Sequence, residues 1–229
     1  MQITQHGLWQ KATLRPGPLP EESKAKLLAL VNEETEEEFE ELLEEAAAVA
    51  EPMAWFCVSS VESVDESAAI IGGVRVESPL VAKKLGPVRR CFPYVISCGP
   101  ALEEWSLQYQ GDFLTEFWAD EIKKHYLTVM IREFLGWLKA EFHIEQHYAA
   151  LNPGSLKDWP LSGQRELFDI LGGRETVHAN IGVTYTDSFL MLPSKSVSGV
   201  GFESGSFYEN CQYCPLEKCP NRRAARITE

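Results

Sequence analysis

The chain has 229 residues, 45% of them hydrophobic, enough to bury a core in one domain or in two intimately packed ones without a disulfide scaffold. Its 34 acidic and 21 basic residues leave a formal charge of -13, which repels nucleic acid wherever no local basic patch overcomes it. With no basic, Ser-rich leader and no apolar stretch of membrane length, the expectation is a cytoplasmic protein that partners neither membrane nor nucleic acid.

The opening twenty residues carry little periodicity and end in the Pro/Gly-rich RPGPLP. The spacing then predicts a helix over 21–50, with Leu27, Leu28, Val31, Phe39, Leu42, Leu43, Ala46 and Val49 on one side and the acidic run Glu33–Glu45 solvated. Pro52 ends it, and MAWFCVSSV reads as a strand. Strand-like and short helical pieces alternate from there to ISCG, broken at Gly72, Gly73 and Gly86. Gly72-Gly73 reads as a turn, because no spaced glycines and helix follow as in a phosphate-binding loop.

From about Asp112 to Tyr148 runs the longest predicted helix, an internal spine with Phe113, Phe117, Ile122, Tyr126, Met130, Phe134 and Leu138, interrupted near Gly136. His143 and His147 lie four apart, but EFHIEQH lacks the HExxH arrangement, so they read as an exposed or hydrogen-bonded helical pair. Asn152-Pro153-Gly154 marks a turn, a short helix follows to about Leu171, and ANIGVTYTDSFLMLPSKSVSGVGF supplies two or more strands. The order of elements suits a mixed α+β fold better than regular parallel units.

Cytoplasmic cysteines favour metal or redox chemistry over disulfides. Cys57, Cys91 and Cys98 stand singly in apolar runs and read as small buried hydrophobes. Cys211, Cys214 and Cys219 are different: C-x2-C brings two thiolates to one metal, and Cys219 can supply a third after a turn at Pro215. The suspected centre is an iron-sulfur cluster or zinc, with Cys98, or else Cys91 or Cys57, as the candidate fourth ligand. A metal-free thiol redox centre and a structural tail are the alternatives. Arg222, Arg223 and Arg226 form a small basic patch that could face an acidic partner or simply solubilise the terminus.

At MLPSKSVSG the chain resembles the reactivation domain of cobalamin-dependent methionine synthase and its stand-alone relatives. The likeness runs back through LNPGSLKDWPLSGQRELFDIL, ISCG, AEPMAWFCV and the acidic helix, covering nearly the whole chain, with MLPSKSVSG its most specific stretch. It implies a curved, mainly antiparallel sheet with surrounding helices, an activation-like domain over residues 1–205 and a cysteine-rich tail over 206–229. Domains of that family bind S-adenosylmethionine and present its methyl group to reduced cobalamin on a neighbouring domain, while an external donor reduces the cobalt. The resemblance therefore implies an accessory protein of a cobalamin-dependent methyltransferase system. Cobalamin would sit on the partner, a corrinoid-binding protein or corrinoid methyltransferase, with an electron donor as a further partner.

Carried over residue by residue, the resemblance retains Asp120, Asn152 and Gly154 as cofactor-binding positions. It also meets departures. Ala150 stands where the family has an arginine, Ser155 where it has a tyrosine, and Thr128 where it has a glutamate. Lys123 and Lys124 replace small side chains. An arginine anchors a carboxylate through two charge-assisted bonds, and alanine offers none. The expectation is that S-adenosylmethionine binding is weakened or lost, which makes a non-enzymatic corrinoid-protein binding module the alternative function.

Overall fold

The structure is a computed structural model and describes residues 1–214, 222 and 224–227. Its first surprise is the opening segment, which pairs as a hairpin of β1 (Gln2–His6) and β2 (Trp9–Thr13). The loop is two residues long and begins at Gly7, whose φ of 64° has the sign hairpin turns require.

The helix expected over 21–50 is two, α1 (Glu21–Leu28) and α2 (Glu36–Val49). Asn32 separates them: its side-chain oxygen accepts the N–H groups of Glu34 and Thr35, each at 3.1 Å, offering that backbone an alternative to helical bonding. α2 buries Phe39, Leu42, Leu43 and Ala46 and turns its glutamates outward.

The fully buried β3 (Met53–Cys57) leads into β4 (Ser59–Val64), β5 (Ala68–Ile71), β6 (Val74–Glu77), α3 (Pro79–Leu85) and the central β7 (Arg90–Ser97). Then follow α4 (Pro100–Leu107), the spine α5 (Phe113–Glu141), β8 (His147–Leu151), α6 (Gln164–Ile170), α7 (Arg174–Ile181), β9 (Thr184–Tyr185), β10 (Met191–Leu192) and β11 (Ser196–Ser204). α5 passes Gly136 without interruption and ends at Phe142, after which His143 takes φ 51°. His147 is already in β8, so the two histidines share no helix.

β9 and β10 pair with each other, and the other nine strands form one antiparallel sheet. Met53↔Ser97 through Phe56↔Tyr94 and then Ser59↔Cys91 keep one register, so β3 and β4 run in line along one edge of β7. On their outer side β3 carries β2 and β1, while β4 carries β5 and β6. The other edge of β7 pairs with β11, and β11 with β8.

Alternation then sends side chains to two cores. Ala54, Phe56, Phe92, Tyr94 and Ile96 meet Met130, Phe134 and Leu138 of α5. Trp55, Cys57, Cys91, Val95, Val200 and Phe202 meet α3, α6 and α7 on the opposite face. The first half of α5 packs instead on α1, α2 and α4 through Trp118, Ile122 and Tyr126. No described helix is long and apolar enough to cross a membrane.

The α+β fold with a mainly antiparallel sheet and surrounding helices is as expected; its curvature and its tail are corrected. β3 and β4 exchange β2 for β5 along a straight register, so the sheet widens and branches, and no sheet is curled among the described residues. Nor do the cysteines form a C-terminal cluster. Of the five described, Cys57, Cys91 and Cys98 lie in the core. The segment after β11 folds back onto it, burying Tyr208 and Asn210. Cys219 and Arg223 lie outside the described residues.

Candidate functional site

β8 ends at Leu151, and the chain turns at once through Asn152, Pro153 and Gly154. Gly154 has φ 81° and donates its N–H to the Trp159 carbonyl at 2.9 Å, closing a loop over the buried Leu156 and Trp159. A Cβ on Gly154 would stand 3.0 Å from the end of the Leu161 side chain, and the left-handed φ itself strains any residue but glycine there.

Asn152 is the hub of this corner. Its amide nitrogen donates to the Tyr94 hydroxyl at 3.1 Å and to the Ser198 carbonyl, and its oxygen accepts from the Asn210 amide. Partners from β7, β11 and the segment after β11 thus take both amide hydrogens and one acceptor site of the oxygen. This explains the glycines of SVSGVG: a Cβ on Gly199 would be 2.5 Å from the Asn152 amide nitrogen and 3.0 Å from the Tyr94 hydroxyl. One on Gly201 would fall 1.7 Å from the Tyr148 hydroxyl.

Beside Asn152 opens a groove of about 290 Å³ between α5 and the sheet, with Ile131 and Leu135 on one wall and Tyr148 and Ala150 on the other. Ala150, at the expected arginine position, presents no donor to it. The Tyr148 hydroxyl is buried with no hydrogen-bond partner among the described residues, and burial drives its pKa well above the ordinary phenol value.

Asp120 lies elsewhere. It projects from α5 to an ion pair with Lys195 at 2.8 Å and lines a cleft of about 580 Å³ that shares no lining residue with the groove. Lys123, expected to crowd a ligand, turns instead to α4, with its ammonium 3.0 Å from Glu103 and 2.9 Å from the Ser106 hydroxyl. Glu103 also accepts the N–H and hydroxyl of Ser194. Thr128 is exposed and donates its hydroxyl to the Lys124 carbonyl, so the glutamate position carries no carboxylate. Asp120 and Asn152 are therefore not brought together.

The described cysteines divide between two environments. Cys211 and Cys214 are half-buried, where the Tyr208 and Tyr213 rings stack 5.6 Å apart and Arg222 donates to the Cys211 carbonyl at 2.6 Å. Cys98 is buried with Leu102 and Trp105, and its thiol donates weakly to the Gly99 carbonyl. Burial pushes the Cys57, Cys91 and Cys98 thiols up to about 12, which disfavours the thiolate a metal needs. Among the described residues no group of three or more His, Cys, Asp or Glu is placed to hold a metal ion, and Cys219 is not among them.

Sequence reasoning did not find Tyr94, Tyr148 or Asn210. For Tyr94 and Tyr148 the signal is Gly199 and Gly201, two apart on one face of a strand, which announce side chains lying across it; Asn210 has none.

A scan against protein-family models gives no match, and a search of curated proteins gives none. Among solved structures, this chain is similar to one described as the "Crystal Structure of the MetH Reactivation Domain bound to AdoHcy". The TM-score is 0.58 and the identity 13%, over 89% of this chain and 81% of that one. The likeness shows a shared fold. It extends over most of the chain rather than a single motif.

Proposed function

We propose that this chain is an accessory protein of a cobalamin-dependent methyltransferase system, engaging a corrinoid-binding protein and supporting its reductive reactivation. The observation that carries the reading is the near-full-length likeness to a structure described as a reactivation domain. Residues 1–205 serve as the activation-like domain. Residues 206–229 add a cysteine-bearing segment in which Cys211, Cys214 and Cys219 hold zinc or an iron-sulfur cluster; a cluster there would pass electrons from a donor toward the partner's cobalt.

The test is reduction of an oxidised corrinoid protein by a low-potential reductant, followed by absorbance with and without this chain. The expected result is faster formation of the reduced corrinoid, and an unchanged rate across corrinoid partners refutes reactivation. Metal and acid-labile sulfide analysis of anaerobically purified protein tests the cysteine centre. A folded protein carrying neither metal nor sulfide refutes it.

A second reading, a corrinoid-protein binding module without methyl-donor chemistry, is favoured by the state of the donor site. Ala150 offers no guanidinium, both Asn152 amide hydrogens are engaged within the chain, and Asp120 is paired with Lys195. On this reading the partner binds, but S-adenosylmethionine does not and the reduction rate stays flat.

A further inference from the structure

Although the chain is acidic overall, one cleft gathers Lys83, Lys84, Arg89 and Arg90. It has a volume of about 520 Å³ and lies where β7 begins and β11 ends, beside the last turn of α3, with Gln146 and the Ser204–Ser206 turn completing its wall. Ion pairs elsewhere engage Lys24, Lys26, Arg75, Lys123, Lys124, Arg132 and Lys195; none of the four cleft cations has a carboxylate partner among the described residues. The cleft's one carboxylate, Glu203, accepts the backbone N–H of Gln146 at 3.2 Å.

Two of the cations are held by aromatic rings. The Lys84 ammonium lies 4.6 Å from the Tyr208 centroid and 5.4 Å from that of Tyr213. The Arg90 guanidinium lies 5.4 Å from Phe92 and 5.5 Å from Phe142, and donates to the Phe142 carbonyl at 3.1 Å. Ring faces fix a cation in place without neutralising it. The helix dipole accounts for basic residues in the last turn of α3, but Arg89 and Arg90 lie beyond that helix. Four cations face a single carboxylate in the cleft's lining; their mutual repulsion is only partly offset, and a bound polyanion relieves the rest.

We propose that this cleft binds a soluble ligand bearing clustered phosphate groups. Its size falls in the range of about 300–1,000 Å³ typical of small-molecule sites. Guanidinium forks match phosphate oxygens in geometry as well as charge. The cleft shares no lining residue with the groove of Asn152, so this site stands apart from the corrinoid reading.

Calorimetric titration of the full chain with inorganic triphosphate tests it. One saturable site is expected, weakened at least about tenfold, or roughly 1.4 kcal/mol, in the double variant K83E/R89E. Lys83 and Arg89 are exposed, so that variant keeps its core, which circular dichroism checks. K26E, a charge reversal at an exposed position on α1, tests whether a reversal outside the cleft weakens binding and should bind as the parent does. Absence of saturation, equal weakening by K26E, undiminished binding by K83E/R89E, or tighter binding of a hexaglutamate peptide than of triphosphate each overturns the proposal.

Discussion

The corner around Asn152 and the corner around Asp120 keep the two polar side chains that the resemblance retains, and each chain segment uses them differently. Asn152 is half-buried and joined to three other segments by neutral hydrogen bonds that use both its amide hydrogens and its oxygen. Asp120 makes one ion pair, with side chains 44% exposed for Asp120 and 25% for Lys195. A buried network is costly to unmake because the groups left behind lose both water and partner, whereas an exposed ion pair exchanges one set of favourable contacts for another. The first corner has become architecture; the second remains a surface.

Alkali should break both corners together, and this is the largest effect expected. Burial raises the Cys57, Cys91 and Cys98 thiols from 9.0 to about 12, and it also raises Tyr148 and Tyr208. The unfolded chain releases the thiol protons near pH 9 while the folded chain keeps them. Their stabilisation is therefore complete below pH 9 and is lost as the pH rises toward 12. Urea midpoints measured across that window should fall steadily, with a summed loss on the order of several kcal/mol. A flat profile contradicts the burial of these groups. At pH 8 a thiol reagent should label the three core thiols only on unfolding.

Asn152→Ala should come next, costing about 2–3 kcal/mol in urea denaturation, because it removes three hydrogen bonds at once, those to the Tyr94 hydroxyl, the Ser198 carbonyl and the Asn210 amide. A loss under about 0.5 kcal/mol would show that the hub is not structural. Tyr148→Phe should move the other way. Removing a buried hydroxyl that has no partner should leave the fold unchanged or stabilise it by up to about 1 kcal/mol, and a clear destabilisation would reveal a hydrogen bond at that position.

Much of this organisation is legible in the sequence, and the parts that are not share a physical cause. The α5 spine, the buried β3 and the loop at Asn152-Pro153-Gly154 follow from hydrophobic period and turn chemistry. The break at Asn32 depends on one side chain capturing two N–H groups inside an otherwise helical pattern. The β1–β2 hairpin is a weakly patterned edge whose polar strands are recruited by β3. Tertiary contact also decides the site: nothing local to Asn152 announces Tyr94 or Asn210, each 58 positions away. The corrinoid-family likeness located the loop but not the side chains that now fill it.

Lys195→Ala should give the smallest effect, within about 0.5 kcal/mol, since it removes a single ion pair that water still reaches on both sides. It should also leave the Asn152 network intact. A loss comparable to that of Asn152→Ala would erase the distinction between the corners.

The central claim is that the chain engages a corrinoid protein through this fold while its donor corner is filled from within. The most direct measurement is calorimetric titration of a corrinoid-binding protein from a cobalamin-dependent methyltransferase system with this chain, with and without S-adenosylmethionine. The account predicts a saturable complex whose affinity S-adenosylmethionine leaves unchanged, and no saturable binding of S-adenosylmethionine to the chain alone. Failure to form a complex, or saturable binding of S-adenosylmethionine, would contradict it.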